Sequence, residues 1–436
     1  MSVNKKINIL IIIIVIFLTG FVFERINTNK SNVYEEQNIS SIKKNKKLLS
    51  MNLEQTAGAG DYKTVAQSGW PTEGYKFNTK LSRCENGNEL SWDDENKKVL
   101  MSGNNSDKCY VYFDKIITLA EYVISQYTGT QGDNGIYYHD SSLTNGAGDN
   151  SYRYAGVNSN NFVCFGSDEA TCPTDNLYRI IGVFGDNYHG VTGKQLVKLI
   201  KYDYATSALL GTDGDYYDTY ANWGAVYAGD STDNLDLIGV YYWNNTTQTN
   251  TWSESLLNKI NLNTNFINNI GSPWANKIAT ITWKVGGNIK ENINYGTPAT
   301  AYTNEITNPA ESTTYSAKVG LMYVSDYGFA ASPSAWTTTL NNYDGYDDNN
   351  VAIKDTNWMY SGLYEWPITR ASSSSSLVYY IHRIGFVTYM TLISSDGPSK
   401  FGVDYVGAIR PTFFLTSDIN YVSGSGSMSD PIILGN

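Results

Sequence analysis

Tyr178-Arg179-Ile180-Ile181-Gly182-Val183-Phe184 and Gln195-Leu196-Val197-Lys198-Leu199-Ile200-Lys201 are the two stretches on which the fold turns. Both are short runs of β-branched and aromatic residues, and both read as strands. Downstream, Thr251 or Ser253 is placed to cap a helix with Leu256 and Leu257 inward and Ile260 near its end. Further strands are expected at Ile278–Trp283, Lys318–Val324 and Ala408–Leu415. Between these lie stretches such as 211–236 and 339–357, rich in turn residues and without periodicity. Loops of that length are usually functional or disordered. Many strands, few helices and long aromatic loops give residues 151–436 the pattern of an α+β domain whose function sits on loops. No internal repeat is visible.

Upstream the organisation changes. Residues 115–150 read as a helix and linker: Leu119, Tyr122, Val123 and Gln126 recur at helical spacing within Ile116–Tyr127, and a Gly/Asn/Asp-rich connection follows over 128–152. Residues 61–114 read as a small β domain, with strands at Lys97–Met101 and Cys109–Phe113 joined by a turn at Ser102–Asn105. Residues 31–60 read as a polar tether ending in Ala57-Gly58-Ala59-Gly60; its basic cluster at Lys43–Lys47 could touch anionic headgroups. Residues 1–30 carry an apolar run, Ile7–Phe23, behind Lys5 and Lys6. That run matches the shortest bilayer-spanning helices, of roughly 17 residues, and no small-residue cleavage site follows it. The expectation is an uncleaved signal anchor, with a cleaved signal as the alternative.

The four cysteines fall as two local pairs, Cys84 with Cys109 and Cys164 with Cys172. Three connectivities are open to four cysteines, and the nearest-neighbour one is the simplest. An even count behind a secretory segment points to disulfides and an outward-facing body, against an alternative of four reduced, buried thiols. The expected location is therefore the cell membrane, crossed once, with the bulk outside. Charge narrows the partners. The chain carries −11 overall, yet residues 1–50 balance at +5, which leaves −16 to the remainder. So acidic a body repels phosphate backbones, and nucleic acid is not an expected partner.

Reactive motifs are sparse. His139, His189 and His382 are the only histidines, no G-x-S-x-G elbow surrounds a serine, and Gly193-Lys194 lacks Walker spacing. His382 reads as a structural or rim residue on an alternating strand. Two acidic loops, Asp213/Asp215/Asp218 and Asp344/Asp347/Asp348, have oxygen ligands of the kind calcium takes, without EF-hand order. Calcium is the one ion the sequence could hold, and no organic cofactor is expected. The binding candidate is compositional. Trp336, Tyr343, Tyr346, Trp358, Tyr360, Tyr364 and Trp366 are interleaved with Ser, Asn, Gly and Asp, the mixture that paratopes use. Of these, Trp358 and Trp366 read as core, which leaves Trp336, Tyr343, Tyr346, Tyr360 and Tyr364 for a ligand. Arg410 sits in an apolar strand, needs a carboxylate or carbonyl partner, and reads as structural.

Tyr178–Phe184, Leu196–Tyr202, Trp252 with Leu256 and Leu257, Lys318–Ala331, Asn357-Trp358-Met359 and Gly407–Leu415 together resemble a family of bacterial cell-surface proteins. The ending Gly424–Pro431 resembles that family's, and the 51–113 segment resembles a module that often precedes it. As a group these proteins are similar to the C-type-lectin-like fold, in the branch that includes formylglycine-generating enzymes. The resemblance implies an outer-surface binding module. The chain departs from the enzymes, since no cysteine follows Cys172, and from calcium lectins, since Glu-Pro-Asn, Gln-Pro-Asp and Trp-Asn-Asp are missing. The expectation is a non-enzymatic, adhesin-like protein for a glycan, wall polymer or protein ligand. A structural or pilus-like envelope subunit is the alternative and a secreted hydrolase the second; oligomeric state is left open.

Overall fold

The computed structural model describes residues 49–66, 70–71, 74–103, 107–219, 239–289, 296–343, 353–392 and 406–435. Helices and many small sheets make the protein mixed α+β, in two compact units that divide between Ile116 and Ile117. The expected anchor over 1–30 falls outside the described residues. Among those described, no helix is long and apolar enough to cross a membrane.

The smaller unit holds a five-stranded sheet and a two-stranded one. Leu49–Glu54 pairs antiparallel with Tyr62–Val65 and parallel with Cys109–Lys115, which also pairs with Tyr75–Phe77 and Arg83–Cys84. This corrects the tether reading for residues 49–60, while residues 31–48 lie outside the described residues. Leu49–Glu54 lies inside the sheet, and the Ala57–Gly60 stretch belongs to its hairpin turn, where Asp61 accepts the N–H groups of Gln55 and Thr56. The expected hairpin between Lys97–Met101 and Cys109–Phe113 is also corrected. Lys98–Ser102 pairs with Glu89–Asp93 instead. The reason is burial: Cys109, Val111 and Phe113 alternate inward and need a central position, whereas Lys98–Ser102 has no fully buried residue. Met51, Phe77, Val111 and Phe113 make a core of four buried side chains, and the Cys84–Cys109 disulfide closes it. So small a core depends on its staple.

In the larger unit, seven strands form an antiparallel sheet in the order Val319–Gly320, Thr412–Phe414, Leu196–Lys201, Leu177–Phe184, Ser151–Tyr154, Ile136–His139, with Phe162–Cys164 also on Leu177–Phe184. The two central strands are buried at every position. Both faces are covered, which explains their unbroken apolar text. Ile136–His139 and Ser151–Tyr154 stand where the sequence suggests a linker; their Tyr and polar composition hides an edge strand, Ile136–His139, and the strand beside it. The expected helix at 116–127 forms over Leu119–Ser125, with Thr118 and Glu121 in a reciprocal capping box. The helix expected after Thr251 starts later, at Leu257. Ser255 Oγ accepts the Asn258 N–H (3.2 Å), and Asp215 Oδ2 accepts the Leu257 N–H (2.8 Å).

Gly182 marks a close approach at the register shift of the central strand. A Cβ there would stand 2.2 Å from the backbone oxygen of Tyr152. Gly182→Ala is therefore expected to lower stability by about 3 kcal/mol, read as a reduced denaturant midpoint with unchanged m-value. Replacing both Cys84 and Cys109 by serine is expected to cost the smaller unit about 3 kcal/mol while leaving the larger unit's transition in place, checked by calorimetry.

Candidate functional site

Strand alternation builds the candidate face. Segment 364–366 is wedged between Ile381 and Ala408: Glu365 exchanges both backbone hydrogen bonds with Ile381 (3.0 Å each), and Ala408 N–H reaches Tyr364 O (2.8 Å). Alternation then turns Glu365 inward and places Tyr364 and Trp366 on the other side. Inward, Glu365 takes a bidentate ion pair from Arg410, whose Nη2 is 2.9 Å from Oε2 and also donates to Met359 O. Arg410 is thus a buried guanidinium with the carboxylate it requires.

On the outer side the rings climb from core to solvent. Buried Trp366 packs on Tyr380 (4.7 Å), Tyr380 stacks on Tyr364 (5.4 Å), and Tyr364 meets His382 edge-on (4.8 Å). His382 in turn stacks flat on Phe386 (4.3 Å, 10°). Tyr364, His382, Phe386 and Tyr360 are half-buried. Tyr360 Oη donates to Arg383 O (2.9 Å), so both tyrosines rest on the turn His382–Phe386. That turn connects the antiparallel strands Leu377–Ile381 and Val387–Thr391. Gly385 holds its corner at φ +106°, with Tyr327 Oη donating to its carbonyl (2.8 Å). Ile384 N–H points at His382 Nδ1 (3.4 Å), which assigns the ring proton to Nε2, 3.1 Å from Tyr364 Oη.

Other expectations change. Trp336 and Tyr343 are 1% and 0% exposed, and this corrects their assignment to a ligand face. Each is a core pillar with its polar tip satisfied: Trp336 Nε1 on Ala331 O (2.9 Å), Tyr343 Oη on Ala335 O (3.0 Å). Trp358 and Trp366 are also core. Tyr346 and the acidic set Asp344, Asp347 and Asp348 lie outside the described residues. In the other acidic loop, Asp215 is spent on the N–H groups of Leu257 and Asn245, and Asp213 on Asn265 Nδ2 (2.6 Å). Both expected disulfides form, Cys84–Cys109 and Cys164–Cys172. Among the described residues, the metal-ligand side chains that gather in a group of three are Cys84, Asp107 and Cys109, and its sulfurs are in a disulfide. His139 and His189 are fully buried, and burial lowers the pKa of both.

A second polar centre was not visible in the sequence. Lys198, Asp326, Arg153 and Glu305 are all buried around the short helix Val324–Phe329. Lys198 Nζ lies 2.5 Å from Asp326 Oδ2, and burial pulls its pKa down to about 8 while Asp326 pulls it back up. Arg153 pairs with Asp149 (2.7 Å) among the rings of Phe184, Tyr302 and Phe329. Glu305 accepts the N–H groups of Val324 and Ser325 (3.0 Å each), yet burial pushes its carboxyl up to about 7. No spacing rule links residues 153, 198, 305 and 326; only the fold brings them together.

No known protein family, curated protein or solved structure matches this chain. The two disulfides mark an extracellular or secreted protein.

The raised pKa of Glu305 has a measurable sign. The folded state keeps its proton to about 7, whereas the unfolded chain releases it near the ordinary 4.5. Its contribution is full below the unfolded value and falls as pH rises toward the folded one. Urea midpoints at several pH values should show this decline, and Glu305→Gln should flatten it.

Proposed function

We propose that this is a membrane-anchored, outward-facing binding protein of the cell surface, with a C-type-lectin-like larger unit that holds a glycan or wall polymer and turns over no substrate. The observation that carries this reading is the ring ladder from Trp366 to Phe386, with Tyr360 beside it on the same turn. Its outer rings are half-buried on a hairpin, a rigid amphipathic surface suited to sugar faces. The Tyr364 hydroxyl accepts from His382 Nε2–H and so keeps its own O–H to give to a sugar oxygen. The anchor at 1–30 and a calcium role for Asp344, Asp347 and Asp348 belong to the same proposal.

The test passes the oxidised fragment 49–436 over a glycan and wall-polymer array, with and without calcium. Saturable binding is expected, weakened about tenfold by Tyr364→Ala or Tyr360→Ala, which corresponds to roughly 1.4 kcal/mol. Tyr343→Phe, a core change, should leave binding intact. Binding that ignores both outer tyrosines, or capture by proteins and no carbohydrate, would overturn the reading.

A further inference from the structure

Lys198 and Asp326 meet in a chamber of rings. Both side chains have 0% exposure, and Nζ lies 4.5 Å from the ring centre of Tyr323, 4.9 Å from Tyr188 and 5.4 Å from Trp283. The carboxylate is held on both oxygens. Oδ2 takes Lys198 Nζ (2.5 Å) and the Tyr323 N–H (2.8 Å). Oδ1 takes the Tyr188 hydroxyl (2.7 Å), and Arg153 Nη1 stands 3.9 Å from it. Glu305 shares the helix start: its oxygens accept Val324 and Ser325 N–H, the residues between Tyr323 and Asp326. It interacts electrostatically with both Lys198 and Asp326.

We propose that Lys198 and Asp326 become joined by an intramolecular amide bond. In a chamber closed to water an ion pair is poorly solvated, so passing a proton from the ammonium to the carboxylate leaves an amine beside a carboxylic acid. The Nζ lone pair attacks Cγ. Negative charge then develops on Oδ1, where the Tyr188 O–H already donates and the Arg153 guanidinium stands 3.9 Å away. Glu305, buried and electrostatically coupled to both partners, relays the second proton from Nζ to Oδ2, which departs as water. One C–N bond forms, one C–O bond breaks, and no oxidant or reductant is consumed. Holding both groups in contact replaces the activation that amide formation needs between free molecules.

The bond would do what the disulfides do not. Those span 25 and 8 residues, whereas Lys198 and Asp326 are 128 apart. It would tie the central strand Leu196–Lys201 to the helix Val324–Phe329 and close the chain between them into one covalent loop.

The test is mass spectrometry of the full chain, purified, held at neutral pH, then denatured and digested. The expected result is a mass short by one water beyond the disulfide hydrogens, with Lys198 and Asp326 in one branched peptide. Lys198→Arg should recover the full mass, and Glu305→Gln should form the link roughly 100-fold more slowly. Wild-type chain at full mass, with Lys198 and Asp326 in separate linear peptides, would sink the proposal without reference to whether any variant folds. Unchanged linking in Glu305→Gln would remove Glu305 from the step.

Discussion

A buried lysine against a buried aspartate is the constraint on which the rest of the larger unit depends. Taking two charges out of water is costly, and removing one partner of such a pair commonly costs about 3–5 kcal/mol because the other is left unpaired. The sheet accepts Lys198 in its middle only because Asp326 meets it there. Asp326 in turn sets the helix Val324–Phe329, whose six residues are too few to persist alone. Its carboxylate accepts the Tyr323 N–H, and Glu305 covers the next two. Every residue of that helix is buried.

From the helix the constraint travels outward. Tyr327 reaches Gly385 O, and its own carbonyl takes Asn357 Nδ2 (2.8 Å). Through Gly385 the core fixes the turn His382–Phe386, on which Tyr360 and Tyr364 rest. The face that carries the outer rings is therefore a rigid hairpin end.

Tyrosine serves two ends in this chain. In the interior it fills volume as Phe would while its hydroxyl satisfies a carbonyl that loop backbone leaves open: Tyr241 on Gly211, Tyr327 on Gly385, Tyr343 on Ala335. At the surface the same side chain stays half-exposed, as at Tyr360 and Tyr364. Composition does not separate the two uses, which is why Trp336 and Tyr343 looked like ligand residues beside Tyr360 and Tyr364. What separates them is whether a neighbouring element covers the ring.

Local patterns in the sequence determined the class and much of the element plan. Apolar runs at 178–184 and 195–201 specified strands, the helical spacing of Leu119, Tyr122, Val123 and Gln126 specified a helix, and paired cysteines specified the staples. Each is a short-range signal, set by backbone sterics, side-chain periodicity or chain proximity. Tertiary structure alone decided the pairing of Leu49–Glu54 with Cys109–Lys115, the strand role of Ile136–His139, and the burial of individual tyrosines. It alone assembled Arg153, Lys198, Glu305 and Asp326. Those contacts join residues far apart in the chain, and their energy comes from excluding water between surfaces that no local window contains.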